Sequence, residues 1–311
     1  MKRWLFPGIA GALISSISFY IYRRYQREIK QSYLQIQSGS RLILTDYGTM
    51  EYATSGNGSP LMIIHGIGGG YDHGLLVGKL IEEQFRIIAP SRFGYLRSMY
   101  PPDASPATQA DVFAAILDDL ELSDAAIAGV SAGGPSAIQF ALRYPERCSC
   151  LLLVSAVSHN FPLTDHGNGI FENAYRKDFT GWMLVSILRP IIRLFRDLGK
   201  MKQPISPQEK KWAESYYVAA LPTSRRYIGT RADLIQIKNN SDSPLEAISS
   251  PTLIIHAEDD PVVPVEHAQF ANQQIPNAEL VTFPIGGHML LGNHSRINQI
   301  ITDFLNQHVN K

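Results

Sequence analysis

The chain has 311 residues, of which 45% are hydrophobic and 18% are charged, and its 28 basic side chains balance its 28 acidic ones. This composition is typical of a globular protein with a sizeable core and excludes an intrinsically disordered chain. The balanced charge also excludes the global basic field by which many nucleic-acid-binding proteins attract their ligand. The two cysteines, Cys148 and Cys150, are one residue apart, which suits neither a disulfide nor a zinc site. We therefore expect two packed thiols at the start of a strand.

The first predicted element is an uncharged stretch, residues 4–22, with basic residues on both sides. As a helix it would be about 28 Å long, close to the thickness of the hydrocarbon core of a bilayer. The stretch predicts a single transmembrane anchor, and the anchor with its basic flank occupies residues 1–30. The alternatives are a cleaved signal peptide and a helix that lies on the membrane surface. The larger basic cluster follows the stretch, which favours a cytoplasmic catalytic domain in a single-pass membrane protein. The polar residues 26–40 are expected to form a short stalk.

Alternating hydrophobic patterns predict a series of strands and helices after the stalk. The predicted strands are 41–45, 50–55, 61–64, 85–89, 125–130, 150–157, 252–256 and 279–283. The predicted helices between and after them are 74–83, 107–122, 133–144 and 295–308. The first two strands read as an antiparallel hairpin, and the alternation that follows predicts a parallel, doubly wound sheet.

The strand pattern is interrupted over residues 158–249, which contain several helical stretches instead. Two of these, 182–188 and 191–195, are apolar but too short and too charged to span a bilayer. We predict a helical cap over the site that shapes an apolar pocket; a cap that also touches the membrane and admits lipid is the alternative. The predicted division is thus a core of residues 41–157 and 250–311 with the cap of residues 158–249 inserted.

A predicted strand-to-helix turn carries the sequence Gly129-Val130-Ser131-Ala132-Gly133. This G-x-S-x-G pattern is typical of a nucleophilic serine on a tight turn, where small neighbours avoid clashes. Upstream, a glycine-rich segment at 65–70 follows another predicted strand. It has neither a Walker lysine nor a dinucleotide fingerprint, so we interpret it as an oxyanion loop rather than a phosphate-binding loop.

A serine hydroxyl needs a neighbouring base to act as a nucleophile at neutral pH. His288 lies in a glycine-containing loop immediately after the last predicted strand, where reacting groups of a parallel sheet collect. Three adjacent acids, Glu258, Asp259 and Asp260, follow the penultimate strand at the same edge. One of them is expected to orient the histidine, and their position in the sequence leaves the choice open.

These segments together resemble the α/β-hydrolase superfamily over about residues 41–311, with the weakest resemblance over the cap. The order serine, acid, histidine along the chain is the order of that superfamily. The resemblance implies the α/β-hydrolase fold, with a mostly parallel sheet of the eight-stranded type and helices on both faces. It also implies a catalytic triad of Ser131, Asp260 and His288. Asp260 is favoured as the acid because it directly precedes Pro261 in the D-x-x-V-P segment 260–264, and Asp259 is the alternative.

The resemblance further implies that the backbone N–H groups of Ile67 and Ala132 form the oxyanion hole, with Gly66 as an alternative donor. The expected chemistry is acyl transfer through an acyl-enzyme, for which no metal and no organic cofactor is needed. The predicted protein is a membrane-anchored serine hydrolase of carboxylic esters, and lipid-like esters such as monoacylglycerols are candidate substrates. The alternatives are a carbon–carbon bond hydrolase, a perhydrolase-type enzyme, and a non-catalytic binding protein with the same fold.

Overall fold

The computed structural model describes residues 5–81, 84–160, 173, 175–197, 204–239 and 243–309. In these residues eight strands form one sheet in the order β1-β2-β4-β3-β5-β6-β7-β8. The strands are β1 (Arg41–Thr45), β2 (Gly48–Ser55), β3 (Ser59–Ile64), β4 (Phe85–Ser91), β5 (Ala125–Val130), β6 (Cys148–Val154), β7 (Thr252–Ala257) and β8 (Ala278–Phe283). Strand β2 is antiparallel to β1 and to β4, and all other neighbours are parallel. The predicted sheet is therefore confirmed.

Helices cover both faces of this sheet, and further helices lie in the N-terminal and inserted segments. The helices are α1 (Leu5–Ser38), α2 (Tyr71–Gly78), α3 (Pro106–Asp119), α4 (Gly134–Arg143), α5 (Asp178–Asp197), α6 (Pro207–Ala219), α7 (Tyr227–Asn239), α8 (Glu266–Gln274) and α9 (His294–His308). In β3, Met62 and Ile64 join an apolar cluster with α3, α4 and α8, whereas Leu61 and Ile63 join a second cluster with α9. This alternation follows from the two-residue period of a strand and buries both faces of the sheet.

Local sequence signals set the start of two helices. Ser105 accepts a hydrogen bond from the N–H of Thr108 at the start of α3, and a proline occupies the first turn. Ser206 and Glu209 form a capping box at the start of α6. Such caps satisfy N–H groups that have no partner within the helix.

Helices α5 to α7 are inserted between β6 and β7, within the segment predicted as a cap. The two apolar stretches at 182–188 and 191–195 belong to one continuous helix, α5, rather than to two. Residues 161–172 of the predicted cap lie outside the described residues. The division of the chain into a core and a cap domain stays a prediction.

The prediction of a transmembrane anchor over residues 4–22 is wrong, and so is the single-pass membrane localisation derived from it. Within the described residues, we find no helix that combines the length and the apolar character needed to cross a bilayer. Trp4, the first residue of the predicted span, lies outside the described residues. The helix that contains the apolar stretch, α1, begins at Leu5 and continues through the basic cluster to Ser38.

The predicted polar stalk at 26–40 is also wrong, because the second half of α1 packs on the inserted helices. Ile29 is buried in a cluster with Trp182, and Ile21, from within the predicted span, packs against the same cluster. The indole N–H of Trp182 donates to Glu28 at 2.8 Å, and its ring makes an edge contact with Tyr25. Within the predicted span, Ile21 packs on the protein in this way, whereas Ile17, Phe19, Tyr20 and Tyr22 are exposed.

Candidate active site

Ser131 lies at the end of β5, at the carboxyl edge of the sheet, with a φ of +53°. A positive φ is strained for a residue with a side chain, and such strain is often found at functional turns. The neighbouring glycines allow this turn to pack closely. A Cβ at Gly129 would lie 2.7 Å from the Cβ of Ala137, and one at Gly133 would overlap the carbonyl oxygen of Ile64. Small residues are therefore needed on both sides of the serine.

The structure brings Ser131, His288 and Asp260 together in a hydrogen-bonded chain. His288 Nε2 lies 3.0 Å from Ser131 Oγ, and His288 Nδ1 lies 2.7 Å from Asp260 Oδ2. The serine is 6% exposed and the aspartate 8% exposed. In this arrangement the imidazole can take the serine proton at Nε2 while its Nδ1–H is held by the carboxylate.

The two candidate acids have different partners. Asp260 accepts hydrogen bonds at Oδ1 from the N–H groups of Val262 (2.8 Å) and Val263 (3.1 Å), in addition to its contact with His288. Asp259 Oδ1 instead accepts from the N–H groups of residues 286 and 287, at 2.9 and 2.8 Å. Asp260 therefore contacts the imidazole, whereas Asp259 fixes the backbone of the loop that carries it.

Burial would raise the pKa of Asp260, but hydrogen bonds from His256 and His288 outweigh it and hold the pKa well below its usual value. His256 Nε2 lies 3.4 Å from Asp260 Oδ2 and 2.8 Å from the carbonyl oxygen of Val263. The carboxyl group therefore stays ionised over the neutral pH range and can stabilise a positive charge on His288.

The glycine-rich loop after β3 lies directly against the serine. A Cβ at Gly66 would be 2.9 Å from the Cβ of Ser131. Ile67 packs against a small apolar cluster that includes Ala132. The two residues predicted to supply oxyanion-hole N–H groups, one on the glycine-rich loop and one on the serine turn, thus belong to one packed cluster.

His65, at the start of this loop, is held as a neutral imidazole. Its Nδ1 lies 2.7 Å from the carbonyl oxygen of Gly66, to which it donates, and its Nε2 accepts from the backbone N–H of Arg92 at 3.0 Å. Burial, together with the nearby guanidinium of Arg92, holds the pKa of His65 well below its usual value. The C=O that accepts from His65 belongs to the same peptide group as the N–H of Ile67, so this hydrogen bond orients the predicted donor.

Sequence reasoning missed the buried pair of Arg92 and Asp233 behind this loop. Arg92 follows β4 at the carboxyl edge of the sheet, a position where site residues collect, and this is the one signal the sequence offers. Asp233 lies on α7 in the inserted segment, and no motif marks it.

An apolar cavity of about 190 Å³ opens at Ser131 and His288 and extends along one face of the sheet. Its lining comes from β3, β5 and β6, from the end of α2 and the segment after it, and from α6 and α9. The apolar and aromatic lining includes Ile63, Ala128, Leu152, Trp212, Tyr216 and Ile301. No lysine or arginine is found among the described residues that line the cavity.

The described residues contain no cluster of three or more His, Cys, Asp or Glu side chains with the geometry to hold a metal ion. Cys148 and Cys150 are buried free thiols, and burial raises the pKa of Cys148 to about 12. A thiol that stays protonated is a poor nucleophile and a poor metal ligand.

Comparison with known proteins places the chain in a family. A model of the α/β-hydrolase fold matches residues 59–295, so the chain belongs to the α/β-hydrolase family. An uncharacterized hydrolase of Bacillus subtilis, YcgS, is 31% identical over 259 residues, which cover 80% of this chain and 91% of that protein. A 2-hydroxymuconate semialdehyde hydrolase of Pseudomonas sp. is 29% identical over 260 residues, 81% of this chain and 88% of that protein.

Among solved structures, a meta-cleavage product hydrolase from Pseudomonas fluorescens is similar, with a TM-score of 0.64 and 26% identity. The match covers 86% of this chain and 97% of that one. The family expected from the sequence motifs is thus confirmed, and the three similar proteins reported above are hydrolases by name.

Proposed function

We propose that this protein is a serine hydrolase of carboxylic esters with an apolar acyl group, in which Ser131 is the nucleophile, His288 the general base and Asp260 the acid that orients it. The observation that carries this proposal is the hydrogen-bonded chain from Asp260 through His288 to Ser131, with distances of 2.7 and 3.0 Å, at the mouth of an apolar cavity. A serine with a positioned base beside a cavity is suited to acyl transfer.

In the proposed reaction, Ser131 Oγ attacks the ester carbonyl carbon while its proton passes to His288 Nε2. The N–H groups of Ile67 and Ala132 stabilise the negative charge on the carbonyl oxygen of the tetrahedral intermediate. The imidazolium then gives its proton to the leaving alkoxide, and the acyl-enzyme remains. A water molecule that loses its proton to His288 releases the carboxylic acid and restores the serine.

The cavity supports an acyl group of medium length. An apolar cavity of about 150 Å³ takes a benzene molecule, so the cavity of about 190 Å³ suits a chain of roughly six to eight carbons. Its aliphatic and aromatic lining gains about 0.8 kcal/mol for each methylene that it buries. Short acetyl esters would leave most of this surface uncovered.

Carbon–carbon bond hydrolysis is the second candidate, because the relative from Pseudomonas sp. is a 2-hydroxymuconate semialdehyde hydrolase. The substrate in that name carries a carboxylate. A buried carboxylate needs a counter-charge, and the described lining of the cavity supplies neither lysine nor arginine. The lining therefore favours the ester.

Labelling with a fluorophosphonate tests the nucleophile, and Ser131→Ala is the control. We expect labelling of the wild-type protein at Ser131 and none of the variant. An unlabelled, folded wild-type protein would contradict the proposal.

Hydrolysis of p-nitrophenyl esters with two to sixteen acyl carbons tests the substrate class, with a six-carbon 2-hydroxy-6-oxo-dienoate as the competing substrate. We expect kcat/KM to peak at about six to eight carbons. A preference for acetate would contradict the apolar acyl site, and faster cleavage of the dienoate than of every ester would favour the second candidate.

A further inference from the structure

The guanidinium of Arg92 bridges the two backbone segments that frame the serine. Its Nη1 donates to the carbonyl oxygens of His65, at 3.2 Å, and of Ala132, at 3.0 Å. The first carbonyl belongs to the loop that carries the N–H of Ile67, and the second lies one peptide beyond the N–H of Ala132. A single nitrogen atom therefore fixes the separation between the two proposed oxyanion donors.

The other end of Arg92 is held by the inserted helices. Its Nη2 donates to Asp233 Oδ1, and Asp233 Oδ2 accepts the hydroxyl proton of Tyr95 at 2.6 Å. The Tyr95 oxygen in turn accepts from the N–H of Gly68, at 3.2 Å, within the oxyanion loop. The one carboxylate on α7 thus holds two side chains, each of which contacts the same loop.

This pair is deeply buried, since Arg92 is 4% exposed and Asp233 is 3% exposed. Burial raises the pKa of the Asp233 carboxyl even though Arg92 lies beside it. Burying an ion pair costs desolvation energy, and apolar residues of similar volume often stabilise a fold as well or better. A buried ion pair is therefore weak evidence for a role in stability, whereas its directional hydrogen bonds suit the positioning of a backbone.

We propose that Asp233 on α7, acting through Arg92 and Tyr95, sets the spacing of the Ile67 and Ala132 oxyanion donors. This inference rests on the proposed function. Neither Arg92 nor Asp233 lines the cavity, so both are positioning residues that touch no substrate atom. Their loss should weaken the stabilisation of the tetrahedral oxyanion and leave the binding of the ester unchanged.

The test compares Asp233→Asn with wild-type protein. Active sites are titrated with a fluorophosphonate, so that kcat is expressed per reactive Ser131. We expect kcat for p-nitrophenyl hexanoate to fall about tenfold or more, and KM to change by less than about threefold. A trifluoromethyl ketone with the same alkyl chain forms a tetrahedral oxyanion on the serine, and its affinity should fall by the same factor as kcat/KM.

Asp111→Asn is the matched control, because Asp111 also accepts hydrogen bonds from an arginine and from tyrosines. Arg143 donates to it at 2.9 and 2.7 Å and Tyr47 at 3.0 Å, and these partners lie away from both loops. We expect this variant to lose some thermal stability and to keep its kcat per titrated site.

If Asp233→Asn does not fold, Tyr95→Phe, which removes a single oxygen atom, is measured in the same assays and judged by the same criteria. An unchanged kcat per titrated site, a rise in KM with kcat unchanged, or an equal loss in Asp111→Asn would each overturn the inference. A wild-type protein that is not labelled at Ser131 would instead overturn the proposed function, and this result is seen before any variant is compared.

Discussion

Replacing Asp260 with asparagine should keep the local backbone and disable His288 as a base. The asparagine oxygen can accept from the N–H groups of Val262 and Val263, as Asp260 Oδ1 does. The amide NH₂ then faces His288 Nδ1, in the place of the oxygen that lies 2.7 Å from it. Because an amide NH₂ only donates, Nδ1 must become the acceptor and the ring proton moves to Nε2. A protonated Nε2 cannot take the proton of Ser131.

The magnitude follows from the charge that is lost. Two unit charges about 4 Å apart interact by about 4 kcal/mol at an effective dielectric constant of about 20. That energy corresponds to roughly a thousandfold in rate. The unfavourable tautomer adds to this loss, and the same replacement in a chymotrypsin-type triad lowers kcat about 10⁴-fold. We therefore expect a loss of kcat of about 10³- to 10⁴-fold.

The assay is the hydrolysis of p-nitrophenyl hexanoate, and Asp259→Asn is the matched control. Asp259 uses one oxygen to accept from two backbone N–H groups, and an asparagine oxygen can do the same. We expect less than about tenfold loss in this variant, since the imidazole keeps its partner. A larger loss in Asp259→Asn than in Asp260→Asn would refute the reasoning and move the acid by one residue.

Two further predictions concern stability. Gly133→Ala should lower the free energy of unfolding by about 1–3 kcal/mol, because the new Cβ overlaps the carbonyl oxygen of Ile64. Gly287→Ala is the control, because its Cβ meets open space at a φ of +58°; backbone strain alone should lower its free energy of unfolding by about 1–2 kcal/mol. Urea unfolding measures both variants. An unchanged midpoint for Gly133→Ala would contradict the packing argument. His73 is buried and donates to the carbonyl oxygen of Tyr216 at 2.8 Å, and burial lowers its pKa to about 4. Below pH 6.5 the unfolded chain therefore binds a proton that the folded chain does not. As the pH decreases from 6.5 to 4, this difference should lower the free energy of unfolding by about 1.4 kcal/mol per pH unit. Urea unfolding at a series of pH values measures this dependence, and His73→Phe should make the free energy of unfolding less dependent on pH between 6.5 and 4. An unchanged slope of that free energy against pH would argue against a neutral buried imidazole.

Patterns of a few residues predicted most of the sheet, because strand periodicity and turn residues depend on local sterics. The predicted strand at 125–130 and the observed β5 coincide, and the glycines beside Ser131 meet the close contacts that the motif implied. The positions of Ser131, His288 and the acidic triplet at the carboxyl edge follow from the chain order of a parallel sheet. To this extent the fold and the candidate site can be predicted from the sequence alone.

The N-terminal segment shows where such reasoning fails. An uncharged stretch indicates apolar side chains but not their surroundings: here Ile21 packs on the protein, whereas Phe19 and Tyr20 are exposed. The packing of Ile29 and Tyr25 on Trp182 depends on residues more than 140 positions away. No local pattern reports such a contact.

Sequence by itself determined the family, the strand-to-helix turn that carries Ser131 and the position of the acidic triplet after β7, because each depends on adjacent residues. Tertiary structure shows which of Asp259 and Asp260 contacts His288, since both follow β7 and only the direction of each side chain distinguishes them. It also brought Asp233 from α7 onto Arg92, a pair separated by 141 residues. Both results depend on side-chain directions and distances that exist only once the sheet and the inserted helices have packed together.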